Sequence, residues 1–187
     1  MSIKFAILGI LSFQPSTGYE LKKIIEDSSV MYWSGNNNQI YKSLVQLLAE
    51  GLATNEVRHQ ESAPSKKIYT ITAEGLSELR SWTLSAPEPP EFKKSFLTQL
   101  AWADRLSPDE LDGLLGIYEE EVGSRLFMQQ EKTRRGDAFA PKRTPRETYL
   151  WTMIEENVHS FYLSEWQWVR NLRKELQNND AFKEVKP

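Results

Sequence analysis

Asn38-Gln39-Ile40-Tyr41-Lys42-Ser43-Leu44-Val45-Gln46-Leu47-Leu48-Ala49-Glu50-Gly51 is the stretch on which the fold turns. Ile40, Leu44, Leu47 and Leu48 recur with helical spacing, so they share one face of an α-helix that Gly51 ends. Gln39, Lys42, Ser43 and Gln46 lie on the opposite face. The product is a helix with an apolar back and a small, amide-rich front.

Working towards the N-terminus, Thr17 and Glu20 have capping-box spacing ahead of Leu21, Ile24 and Ile25, which predicts a second helix. Residues 3–12 are apolar nearly all round and predict a short buried helix. Working the other way, β-rich runs at 52–57 and 68–72 flank a polar stretch, 58–67, and predict a hairpin with that stretch as its loop. Thr72 to Gly75 then cap a fourth helix carrying Leu76, Leu79 and Trp82. The order is helix, helix, helix, hairpin, helix.

Pro87, Pro89 and Pro90 exclude helix or central strand and mark a domain boundary, giving domains at 1–85 and 91–178. Beyond it only helical periods occur. Phe96, Leu97, Leu100 and Ala101 mark a short helix, and Ser107-Pro108-Asp109-Glu110 starts a longer one with the stripe Leu111, Leu114, Leu115, Tyr118, Val122 and Leu126. Thr144-Pro145-Arg146-Glu147 starts the last, whose near 3.5-residue repeat runs through Leu150, Ile154, Asn157, Phe161, Glu165, Trp168, Leu172 and Glu175 or Leu176. Helices of about 25 and 32 residues would be ~38 and ~48 Å long, more than the first domain can cover. An antiparallel helix pair that meets a second copy of itself is the economical solution, hence a homodimer. The expected fold class is mainly α with a small β-hairpin.

The 187 residues include no cysteine, which removes disulfides, thiolate metal sites and Cys nucleophiles. Apolar runs are too short to cross a bilayer, and Ser2-Ile3-Lys4 leads into no secretion signal, so a cytoplasmic protein without membrane contact is expected. Net charge is -3, with acids and bases balanced before Pro87, which argues against polyanion binding over the whole surface but not against a local basic face. His59 and His159 are the only histidines and have no ligand-spaced partners, and no glycine-rich phosphate loop occurs. Glu119 to Glu121 and Glu155-Glu156 read as solvated helix charges. No catalytic residue, metal or cofactor is expected.

An amide-rich helix front beside a hairpin with paired lysines suits the DNA major groove, where Asn and Gln read base edges and Lys meets phosphate. A non-catalytic protein-interaction adaptor, in which the same surfaces bind protein, is the alternative that net acidity leaves open.

Gly18-Tyr19-Glu20-Leu21, Asn38 to Leu44 with Leu48, Glu50, Gly51 and Leu52, and Lys67-Ile68-Tyr69-Thr70-Ile71-Thr72 with Gly75 together resemble the winged helix-turn-helix core of the PadR family of bacterial transcriptional regulators. Lys94-Ser95-Phe96, Ala103 to Pro108 and the two helices that follow resemble the helical C-terminal dimerisation region of its longer members. The likeness runs over roughly residues 3–178 and departs at Asn38, where the family often has Gly.

The resemblance implies a repressor that binds a palindromic promoter site in double-stranded DNA as a homodimer, nucleoid-associated when bound. Asn37, Asn38, Gln39, Tyr41 and Lys42 would approach DNA from the third helix, and Lys66 and Lys67 from the wing. Tyr41, next to core Ile40, is expected to pack its ring and offer its hydroxyl, and one of Asn36 and Asn37 to cap the helix. Tyr69 and Ile71 share a strand face and are expected in the core. The resemblance further implies release by a small aromatic ligand, with Trp102 and Trp151 as candidate pocket walls; by spacing alone the aromatics of the second part read as core or dimer interface.

Overall fold

The computed structural model describes residues 3–28, 38–60, 63–90, 93–136 and 143–179. The chain divides into two compact units, Met1–Glu88 and Pro89–Pro187.

The first unit runs α1 (Ile3–Leu11), β1 (Ser16–Thr17), α2 (Gly18–Asp27), α3 (Asn38–Ala49), β2 (Ala53–Gln60), β3 (Ala63–Ile71) and α4 (Ala73–Thr83). Its core is built from Ile7, Leu8 and Leu11 of α1, Leu21 and Ile25 of α2, and Ile40, Leu44 and Leu47 of α3, all nearly inaccessible to solvent. The back of α3 is therefore where its period placed it. Gly51, at φ +70, turns the chain out of α3 while the Leu52 amide donates to the Leu47 carbonyl at 2.9 Å. The expected capping box at α2 is present: Glu20 N donates to Thr17 Oγ1 at 3.2 Å, and Thr17 N donates to the Glu20 carboxylate at 2.7 Å.

Three expectations are corrected in this unit. The sheet has three strands in the order β1-β3-β2, because Ser16 and Thr17 pair with Tyr69 and Ile68 before α2 begins. The polar stretch 58–67 is mostly strand, not loop, since β2 and β3 pair through Val57↔Lys67 and Arg58↔Lys66 up to Gln60↔Ala63. A two-stranded arm in water needs only its ladder bonds, so apolar alternation fades although the strands continue. In α4, Leu76 and Trp82 stay about half exposed, and the buried residue is Gly75. Trp82 still stacks on Phe5 with ring centroids 4.5 Å apart. Lys4 fastens α1 to the end of α3 through Glu50 at 2.9 Å and to α4 through Glu78 at 3.0 Å.

The second unit contains α5 (Ser95–Ala101), a 3₁₀ turn (Ala103–Arg105), α6 (Pro108–Arg135) and α7 (Pro145–Asn178). The two long helices have 28 and 34 residues, and both begin with a capping box and a proline at the first turn. Phe96, Leu115 and Val169 form the centre of the core, surrounded by Leu97, Leu100, Leu111, Leu114, Tyr118, Leu172 and Leu176.

The repeat expected along α7 divides in two, its Leu172 and Leu176 packing on the core. Its upper part is exposed, with Leu150 and Phe161 half open to solvent, while Val169, outside that stripe, is fully buried against α6. Glu165 is recruited inward as a polar member of the seam: it pairs with Lys94 and accepts the Tyr118 hydroxyl at 2.8 Å. Burial and that neighbouring carboxylate together push the Tyr118 phenol well above its usual range. Glu119 is likewise no solvated charge, since it takes Arg170 and Arg173 of α7, each at 3.2 Å. Arg173 also makes two bonds of 2.7 Å to the Asp112 carboxylate, holding that acid below its ordinary range.

Candidate nucleic-acid interface

With Ile40, Leu44 and Leu47 sealed, α3 presents Asn38, Gln39, Tyr41, Lys42, Val45 and Gln46 to solvent. Asn38, Tyr41, Lys42 and Val45 are spaced i, i+3, i+4, i+7, so they form one strip, with Gln39 and Gln46 beside it. Gln46 Nε2 donates to Glu50 Oε1 at 2.6 Å, which ties that amide towards the helix end. Asn37 lies outside the described residues, as does Asn36.

Tyr41 is 49% exposed, and its ring rests over Gly18 at the start of α2, where an added Cβ would come within 2.8 Å of Tyr41 Cε1. It also lies near Tyr69, whose phenol is pushed above its usual range by burial and secondarily by Tyr41. Half of the ring is thus structural. Tyr69 is buried, and Ile71 on the same strand face is half-buried.

The register of the arm sorts its cations. Side chains alternate along a strand, so Arg58 and Lys66 share one face, and Lys67 shares the other with Tyr69 and Val57. Arg58 and Lys66 are exposed and directly opposite each other. Lys66 lies close enough to Glu20 to help lower its pKa, after the larger effect of the Thr17 amide. His59 Nδ1 is 2.9 Å from Ser65 Oγ, a local link across the arm.

Val45 and Arg58 were missed in the sequence. Val45, 67% exposed, sits next to core Leu44 and reads as interior until the helix is phased; Arg58 lies in the polar stretch whose composition predicts a loop. In the second unit Trp102 is 74% exposed, and Trp151 is half-buried with the Arg143 guanidinium 4.3 Å from its ring centre. An open groove of about 770 Å³ in that unit is lined by neither, but by Glu119, Gly123, Phe127, Met128, Trp166 and Arg173 among others.

A three-helix core whose third helix offers a polar strip, followed at once by an antiparallel two-stranded arm, defines the winged-helix class of DNA-binding domains. Residues 7–81 match the family described as the transcriptional regulator PadR-like family, and the chain carries a domain of that family. The chain is 32% identical over 113 residues to the negative transcriptional regulator PadR of Bacillus subtilis; this is 60% of the chain and 62% of that regulator, so it spans less than two thirds of the curated relative.

Over more of the chain the similarity is one of fold. The crystal structure of Bacillus subtilis PadR in complex with operator DNA superposes with a TM-score of 0.78 at 23% identity, covering 93% of this chain and 98% of that one. The same regulator in complex with p-coumaric acid gives 0.72 at 22% identity, covering 94% and 98%. The family consists of transcriptional regulators, not enzymes. Among the described residues no helix is long and apolar enough to cross a membrane.

Proposed function

We propose that the chain represses transcription by occupying a palindromic promoter site as a homodimer. The observation that carries this is the polar strip of α3, exposed in front of a sealed apolar back and flanked by the basic arm. Gln39 and Asn38 have the amide geometry for adenine edges, Lys42 for phosphate or guanine, and Val45 an apolar surface for a thymine methyl. Tyr41, held over Gly18, offers its hydroxyl to a phosphate.

Dimerisation is supported by the exposed Leu150, Ile154 and Phe161 of α7, an apolar row that a second copy would cover. The operator and p-coumaric acid complexes of the Bacillus regulator support a DNA target and a small aromatic effector. Trp102 and Trp151 are the residues proposed to meet that effector, Trp102 as the more open of the two.

Selection from a randomised duplex pool tests the reading. A homodimer returns an inverted repeat whose half-sites are about one helical turn, ~34 Å, apart. A pool that emerges without enrichment refutes it and favours an adaptor.

A further inference from the structure

Arg58 and Lys66 are Cα partners across the β2–β3 ladder, exposed and of like charge. Directly opposed like charges repel, and their side-chain roots are only about 5 Å apart. Such a pair invites a counter-anion between its two heads. Among the described residues a carboxylate lies near each cation, and the two carboxylates differ in kind. Glu20, near Lys66, is committed to the α2 cap through the Thr17 amide at 2.7 Å and the Thr17 hydroxyl at 2.8 Å. Glu56 sits on the same strand face as Arg58, two residues before it, and accepts from Arg58 Nε at 2.6 Å. Glu56 and Arg58 are both more than half exposed, so the bond can exchange freely. Lys67 is on the other face and cannot join.

We infer that Arg58 and Lys66 form a two-pronged clamp for a single duplex phosphate, and that Glu56 occupies Arg58 until that phosphate displaces it. Arg58 is then a binding residue and Glu56 an internal competitor that restrains sequence-independent affinity. This deepens the proposed function and rests on it. It divides the wing's two lysines, placing Lys66 in the clamp and Lys67 outside it.

The test is titration of the full chain with a labelled duplex of arbitrary sequence over a salt series, which needs no known operator. Arg58→Ala and Lys66→Ala should each weaken binding about two- to five-fold. The double variant should lower the log–log salt slope by about 0.9, the loss of one phosphate contact and not two. Glu56→Gln should tighten binding about two- to five-fold, and the gain should vanish in an Arg58→Ala background. Arg58→Lys, keeping the charge, should preserve the slope.

If the wild-type chain shows no salt-dependent binding, the proposed function itself fails. If it binds but the double variant keeps its slope or loses two contacts, the clamp is wrong while the proposed function stands. A Glu56→Gln gain that persists without Arg58 refutes the competitor role.

Discussion

Replacing Gly75 by alanine is a sharp test of how α4 is held. An ideal Cβ there would lie 2.1 Å from the Leu52 carbonyl oxygen and 2.7 Å from Ile71 Cγ1. Carbon-to-oxygen contacts settle at about 3.3 Å or more, so α4 would have to retreat by roughly 1 Å. That carbonyl already accepts the Thr72 amide at 3.1 Å, and Thr72 Oγ1 caps the helix by accepting the Gly75 amide at 3.0 Å, so retreat strains both bonds. Alanine in a helix gains about 0.5–1 kcal/mol over glycine, whereas forcing a methyl into a filled site against backbone costs about 1–3 kcal/mol or more.

The net expectation for Gly75→Ala is a loss of about 2 kcal/mol, or roughly 10 °C in melting temperature for a unit of this size. Gly113→Ala provides the opposite-sign control: nothing lies within 4 Å of its Cβ position, and it sits inside α6. It should gain about 0.5–1 kcal/mol. Thermal unfolding with hydrogen exchange at the α1 amides reports the first unit separately. A Gly75→Ala protein as stable as the wild type would falsify the close approach of α4 to Leu52.

Acid should destabilise the protein within a defined window. Asp112 is held below its ordinary value first by Arg173, Glu20 first by the Thr17 amide, and Glu110 first by the Ser107 amide. Groups of this sign contribute fully above their unfolded pKa of about 4 and lose the contribution as pH falls through the lower folded values. The urea midpoint should hold level from neutral pH to about 5 and drop below about 4; a midpoint flat to about pH 3 contradicts these bonds. Gly18→Ala should displace the Tyr41 ring at a stability cost of under about 1 kcal/mol, since the obstacle is the end of a side chain, and should weaken duplex binding as much as Tyr41→Phe. Wild-type affinity in both variants would remove Tyr41 from the interface. Leu150→Asp with Ile154→Asp should leave a folded single subunit by light scattering; an unchanged mass refutes the α7 interface.

The legible parts of the chain are those where one local rule decides. Ile40, Leu44 and Leu47 had to lie on one side of α3, and the hydroxyl-to-carboxylate spacings at Thr17, Ser107 and Thr144 had to cap helices, because both patterns depend only on neighbours within two turns. What escaped reading was decided at longer range. Ser16-Thr17 becomes a strand only because Ile68 and Tyr69 offer a free ladder edge. The arm's strands outrun their apolar residues because both of its faces meet water, so composition carries no trace of the register that puts Arg58 opposite Lys66. On α7 two apolar rows compete, and only the position of α6 decides that Val169 is sealed while Leu150 and Phe161 are open. Lys42 and Gln39 could be placed on a front face from period alone, but whether Tyr41 packed or projected depended on Gly18 and Tyr69, distant in sequence.

The charge balance bears on why the proposed assembly would need two copies. A chain with net charge -3 gains nothing from bulk attraction to DNA, and α3 and the arm of each first unit carry few cations: Lys42, Lys66, Lys67 and Arg58, the last engaged by Glu56. A single copy holding two or three phosphates would bind weakly, with a log–log salt slope of only about 0.9 per contact. Coupling two such units makes the second engagement intramolecular, and its affinity then depends on spacing and not on added charge. On this reading the long helices of the second unit do more than hold copies together. They would convert a weak, charge-poor contact into one that responds to the separation of half-sites, so an effector that altered that separation could release DNA without touching α3.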